Sequence, residues 1–200
     1  MPEDNQQIQT VLPLRLSPRH GCNFALLPLR TRTRGPAYTL SPLPASITND
    51  LDIDPDSEHY DILDETITLF RANTLFRNFE IKGPADRVLI YGILFISDCL
   101  SRIKPSMSLR DSEKALQTVA LDHFALPGDP AFPLNALYQP PRDRMEAEAL
   151  RGYIGQMRQE LVIRLLNRVY ADGSGKPSKV LSHISSHPTT VAEQGTLTAS

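Results

Sequence analysis

The chain has 200 residues, 22% of them charged, and a formal net charge of -2, so bulk charge gives no reason to expect nucleic acid or an anionic membrane as partner. The absence of Trp and a 6% aromatic content argue against a base-stacking surface. A single domain of this length buries about 70% of the surface its unfolded chain exposes.

Prolines set the organisation. Of the seventeen, eight precede residue 60 and five lie at 127–141, leaving Pro-free windows between them in which helices can form. The domain reading is an irregular stretch at 1–22, an extended arm and acidic linker at 23–58, a helical core at 59–172 and a loose tail at 173–200. Residues 1–22 carry Glu3, Asp4 and Pro13 and do not read as a signal peptide.

In the first window, residues 56–83, Ile62, Leu63, Ile67, Phe70, Phe76 and Phe79 recur at mostly three- and four-residue steps and predict a helix. Glu58, Asp61, Asp64 and Glu65 crowd its start, where the helix dipole favours negative charge, and Gly83-Pro84 stops it. The second window, 84–104, opens on Pro84 and runs through an apolar stretch at 88–96. Periodicity does not separate helix from buried strand there, but the Pro-free length favours a helix. Being apolar on every side, it is expected to be the central helix, surrounded by the others. The same stretch is far short of the roughly 20 residues needed to span a membrane.

A third helix is expected between Leu109 and Phe124, with Leu116, Val119 and Ala120 inward. A proline-rich loop follows at 126–135. The last helix starts at Asp143 with Glu146 in a capping-box spacing, and its stripe is Leu150, Ile154, Met157, Leu161, Leu165 and Val169. Glu160 and Arg164 are spaced to pair, and Asp172-Gly173 ends it. The fold class is all-α, with an extended N-terminal arm and proline-rich loops.

Candidate chemistry is sparse. The acidic run Asp50, Asp52, Asp54, Asp56, Glu58 resembles a calcium loop, but His59 stands where its sharp turn needs Gly. Cys99 lies in the apolar helix and reads as a core residue; Cys22 reads as more exposed, with His20 nearby. His183 and His187 lack a third ligand and a helical context. No phosphate loop, dinucleotide fingerprint or nucleophile elbow occurs, so no catalytic, metal or cofactor residue is assigned. Arg30, Arg32 and Arg34 alternate along an extended segment, as a solvated edge or as a contact for an acidic protein surface. With Phe132, Pro133, Leu134 and Asn135 of the proline-rich loop, they are the candidate protein interface.

Ordered strings then carry a resemblance. Asn23-Phe-Ala-Leu-Leu-Pro-Leu-Arg30, Asp61-Ile-Leu-Asp-Glu65, Phe70-Arg-Ala-Asn73, Asn78-Phe-Glu-Ile-Lys82, Phe132-Pro-Leu-Asn-Ala-Leu-Tyr138, Arg158-Gln-Glu-Leu161 and Lys176-Pro-Ser-Lys179 follow one another as in subunit 3 of the actin-related protein 2/3 complex. The chain resembles that family from about Asn23 to Lys179, in its fungal form, with divergent ends. The resemblance implies a non-catalytic structural subunit, bound to actin-related protein 3 and its neighbours and through them to an actin filament. It further implies support of branched filament nucleation, ATP bound by the actin-related subunits and not here, and residence in the cytoplasm at cortical actin patches. The alternative is a free-standing helical protein-binding module.

Overall fold

The computed structural model describes residues 19–44, 53–71 and 81–178. Among them stand a short antiparallel hairpin, β1 (Arg19–Gly21) and β2 (Phe24–Leu26), and four α-helices: α1 (Ile62–Arg71), α2 (Pro84–Arg102), α3 (Leu109–Leu121) and α4 (Arg144–Val169). The class is all-α, as expected. The part of the first predicted helix that holds Phe76 and Phe79, the acidic positions 50 and 52, and His183 and His187 lie outside the described residues.

The hairpin is a departure from the irregular arm. Its two-residue turn puts Cys22 and Asn23 at φ 46° and 47°, the paired left-handed conformation of a type I′ connection. Neither residue is glycine, so the usual sequence signal is missing. Side-chain bonds hold the turn instead: the Cys22 amide donates to Glu146 Oε1 at 2.9 Å, and Asn23 Oδ1 accepts from the Gln139 amide at 3.0 Å. Cys22 is buried, not exposed, because α4 and the hairpin close over it.

Helix α1 begins at Ile62, later than the acidic run suggested, because Asp61 caps it. Asp61 Oδ1 accepts from the amides of Leu63 and Asp64, and Asp64 Oδ2 accepts from the Asp61 amide in return. Helix α2 starts with Pro84 in its first turn, and Asp86 Oδ2 accepts from the amides of Lys82 and Gly83. Its residues Val88, Leu89, Ile90, Tyr91, Gly92 and Ile93 are all buried.

Helix α3 carries Leu116, Val119 and Ala120 inward, as the spacing predicted, and Ser108 caps it by accepting from the Asp111 amide. In α4 the predicted stripe from Leu150 to Val169 is buried. Asp143 caps that helix by accepting from the Glu146 amide at 2.8 Å. The reciprocal half of the box is absent: Glu146 turns its carboxylate to the Cys22 and Arg142 amides. α4 also buries Gln156, Arg158, Glu160 and Arg164, and therefore is not a simple two-faced helix.

Candidate functional site

The arm after β2 lies along α4, and α4 side chains satisfy its backbone. The Leu27 amide donates to the Tyr153 hydroxyl at 3.2 Å. Gln156 accepts from the Ala37 amide at 3.1 Å and donates to the Thr33 carbonyl at 2.7 Å. The Arg30 carbonyl accepts from Arg164 Nη2 at 2.6 Å. Buried backbone polar groups need such partners, and an arm with no strand beside it finds them in side chains.

Residues 30–38 form a closed loop. Leu29 pairs with the far side at its base: its amide donates to the Tyr38 carbonyl at 2.9 Å, and its carbonyl accepts from the Leu40 amide at 2.9 Å. Compact loops with joined ends are frequent sites of recognition. The three arginines of the loop do not share one face. Arg30 points inward, its side chain 11% exposed, and its Nη2 pairs with Asp64 at 3.0 Å. Arg32 and Arg34 are exposed, and Tyr38, at 66% exposure, follows them.

The second candidate segment is also divided. Phe132 is buried, stacked on Tyr91 with ring centroids 6.1 Å apart and edge-on to Tyr138 at 5.1 Å. Pro133 is exposed, Leu134 is half-buried in the left-handed conformation at φ 57°, and Asn135 is half-buried. Asn135 staples the loop from within, accepting from the Gly128 amide at 2.9 Å and donating to the Asp129 carbonyl at 2.6 Å. Of the seven candidate positions, Arg32, Arg34 and Pro133 face solvent, while Arg30 and Phe132 anchor the segments that present them.

Beneath the arm lies a cluster that the sequence reading did not assemble. Arg164 Nη1 pairs with Asp61 Oδ1 at 2.6 Å and with Asp64 Oδ1 at 2.7 Å, and its Nε with Glu160 Oε1 at 3.0 Å. Burial alone would lower the Arg164 guanidinium's pKa, but the charge of Asp61 and the bonds to it raise it above the ordinary arginine value. The spacing of Glu160 to Arg164 was the one available signal.

Burial, with the charge of Glu146, pushes the Cys22 thiol up to about 11; burial, with Asp98, pushes Cys99 up to about 12. Both are thus protonated near neutral pH and poorly nucleophilic. Among the described residues, no group of three or more His, Cys, Asp or Glu side chains is placed to hold a metal ion. No helix among them is long and apolar enough to cross a membrane.

A family model described as the ARP2/3 complex ARPC3 (21 kDa) subunit matches residues 10–185. The chain belongs to that family. It is 53% identical over 160 residues to actin-related protein 2/3 complex subunit 3 of Saccharomyces cerevisiae, covering 78% of this chain and 81% of the relative. The subunit 3 proteins of Dictyostelium discoideum and Arabidopsis thaliana are 45% and 37% identical, each covered to 81% or more. The ARPC3 match reaches beyond the ordered strings at both ends, from 23 back to 10 and from 179 on to 185. The arm loop, the 126–135 loop and the buried cluster all lie within it.

Proposed function

We propose that this chain is a non-catalytic structural subunit of the actin-related protein 2/3 complex that supports nucleation of branched actin filaments through protein–protein contacts. The observation that carries the reading is the ARPC3 match over residues 10–185 together with 53% identity to a subunit 3 protein. Its partners are the other subunits, actin-related protein 3 above all, and an actin filament through them. Its place is the cytoplasm, at cortical actin. Protonated, buried thiols favour a subunit without catalysis of its own.

Helix α2 serves as the central element around which the other helices pack, which its buried stretch at 88–93 supports. Residues 59–172 act as the helical core and 23–58 as the arm and linker, with the two ends outside it. The interface is formed by the arm loop through Arg32 and Arg34, with Arg30 as its anchor, and by the 132–135 loop, where Phe132 anchors and Pro133, Leu134 and Asn135 shape the surface. Arginine and tyrosine on a pre-organised loop suit an acidic protein surface.

Affinity purification of the tagged chain from its native source, followed by mass spectrometry, tests this reading. Stoichiometric recovery of actin-related proteins supports it, and a lone monomer without them points to the free-standing module. An Arg32→Glu/Arg34→Glu chain that recovers its partners undiminished removes the arm loop from the interface.

A further inference from the structure

The segment that closes the arm loop ends in a hydroxyl that the interface reading does not use. Tyr38 and Leu40 bond to Leu29, and the chain then runs outward through Ser41, Pro42, Leu43 and Pro44. Leu43 is half-buried and the other three are exposed. No hydrogen bond or ion pair ties Ser41 to the other described residues. Pro42 and Pro44 fix their own φ, and the residue before each proline is pushed into the extended region. Ser41 is thus a free hydroxyl on an exposed, extended stretch.

A protein kinase threads its substrate as an extended strand through an open groove, so accessibility and conformation decide which hydroxyls it reaches. Proline directly after the acceptor brings no amide hydrogen and a fixed φ, which most kinase grooves reject and the proline-directed class requires. The chain has two Ser-Pro pairs, Ser41-Pro42 and Ser17-Pro18, and the second lies outside the described residues.

The arginines of the loop point to a different acceptor, and the structure withdraws it. Arg30 stands three residues before Thr33, the spacing read by kinases that prefer basic substrates. However, the Arg30 side chain is turned onto Asp64 at 3.0 Å and gives its Nε hydrogen to the His59 carbonyl. Thr33 is half-buried, its amide donates to Thr31 Oγ1 at 3.0 Å, and its carbonyl accepts from Gln156 at 2.7 Å. Thr31 is itself buried. Drawing Thr33 into a groove would break these bonds, whereas Ser41 has none to break.

We propose that Ser41 is a phosphorylation site for a proline-directed protein kinase, and that its phosphate weakens the hold of the arm loop on an acidic partner surface. The second half rests on the arm-loop interface proposed above. In the transfer, Ser41 Oγ forms a bond to the γ-phosphorus of ATP, and the bond from that phosphorus to the β-phosphate oxygen breaks. ADP leaves, and the hydroxyl proton passes to the kinase's catalytic base. The product carries roughly −1.5 to −2 charges near neutral pH. Arg32 and Arg34 are the exposed charges of the loop, and Leu29 ties the loop's base to Leu40, the neighbour of Ser41. The phosphate offsets both arginines, so that an acidic partner then meets like charge.

The test gives the full chain ATP and a recombinant proline-directed serine kinase, with phosphopeptide mass spectrometry as the readout. The folded chain should be labelled at Ser41, at a rate within several-fold of a synthetic peptide covering residues 36–46. Ser41→Ala and Pro42→Ala should each abolish that labelling. A kinase that prefers basic substrates should leave Thr33 unlabelled in the folded chain. A folded chain that the proline-directed kinase ignores, or labelling indifferent to Pro42→Ala, overturns the site whatever the loop contacts. The labelled and unlabelled chains are then compared in recovery of actin-related proteins, where the labelled chain should recover several-fold less. Equal recovery, in a setting where Arg32→Glu/Arg34→Glu lowers it, overturns the regulation and leaves the interface standing. Equal recovery in all three chains overturns the regulation and the arm-loop interface together.

Discussion

A Cβ placed on Gly92 would lie 2.7 Å from Cγ2 of Thr66, so α1 and α2 meet at a point where no side chain fits. Thr66 is fixed there because its hydroxyl donates to the Ile62 carbonyl at 2.6 Å. Overpacking of this kind costs about 1–3 kcal/mol, partly offset by the roughly 1 kcal/mol that Ala gains over Gly in a helix. Gly92→Ala should therefore lose up to about 2 kcal/mol in urea unfolding. Thr66→Ser in the same chain removes Cγ2 and should restore most of the loss. An unchanged midpoint in the single variant would show that α1 shifts aside freely.

Gln156 holds the arm loop by two bonds to backbone groups. Gln156→Leu keeps the side-chain bulk but leaves the Ala37 amide and the Thr33 carbonyl without partners. Each orphaned buried group costs about 1–3 kcal/mol unless the loop lifts off to find water. The expected outcome is a faster exchange of the Ala37 amide with little change at Leu116 or Val119 on α3. Equal acceleration at both places would mean global destabilisation and would refute a local role.

Removal of Arg164 takes a guanidinium from three carboxylates, of which Asp64 alone keeps another, that of Arg30. Arg164→Met retains much of the aliphatic stem and should still cost about 3–5 kcal/mol, the range for breaking a buried ion pair from one side. Adding Asp64→Asn should recover part of it, because one negative charge is gone. A double-mutant cycle in guanidinium chloride measures the coupling. Strict additivity would show that the two residues do not act on one another.

The thiols make stability depend on pH. Cys22 and Cys99 are raised from 9.0 to about 11 and about 12, so the fold disfavours their thiolates. Their contribution to stability is complete below about pH 9 and is lost as pH rises through the two folded values. Under native conditions near pH 8, both should label slowly with a thiol-reactive dye, and rapidly once denaturant is present. Fast native labelling of Cys22 would contradict its burial beside Glu146.

The helices were legible because their apolar residues repeat with the period of the backbone. Leu116, Val119 and Ala120 on α3, and the stripe from Leu150 to Val169 on α4, needed nothing else. Proline and Asp143 set the starts of α2 and α4. The start of α1 was placed too early because acidic residues ahead of a helix look alike, while only Asp61 turns its carboxylate onto the first amides.

What escaped the sequence was polar and distant. The hairpin turns on Cys22 and Asn23, where a turn signal would ordinarily contain glycine. The inward aim of the Arg30 side chain depends on the His59 carbonyl and on Asp64, which are 29 and 34 positions away. Alternation along the chain treats Arg30, Arg32 and Arg34 as equals, and only tertiary contacts distinguish the anchor from the presented pair. Its place in a proline-rich loop makes Phe132 an interface candidate, yet its ring completes an aromatic cluster with Tyr91 and Tyr138.

The bond from Arg164 to the Arg30 carbonyl spans 134 positions. On the ribosome the arm is made before α4, which satisfies its backbone. Phe24, Leu27 and Leu29 must therefore wait, uncovered, until the intervening residues and α4 have been added. Closure of so long a loop comes late in folding, after local helices have formed. Until that closure, the apolar residues of the arm are open to chaperones or to neighbouring chains.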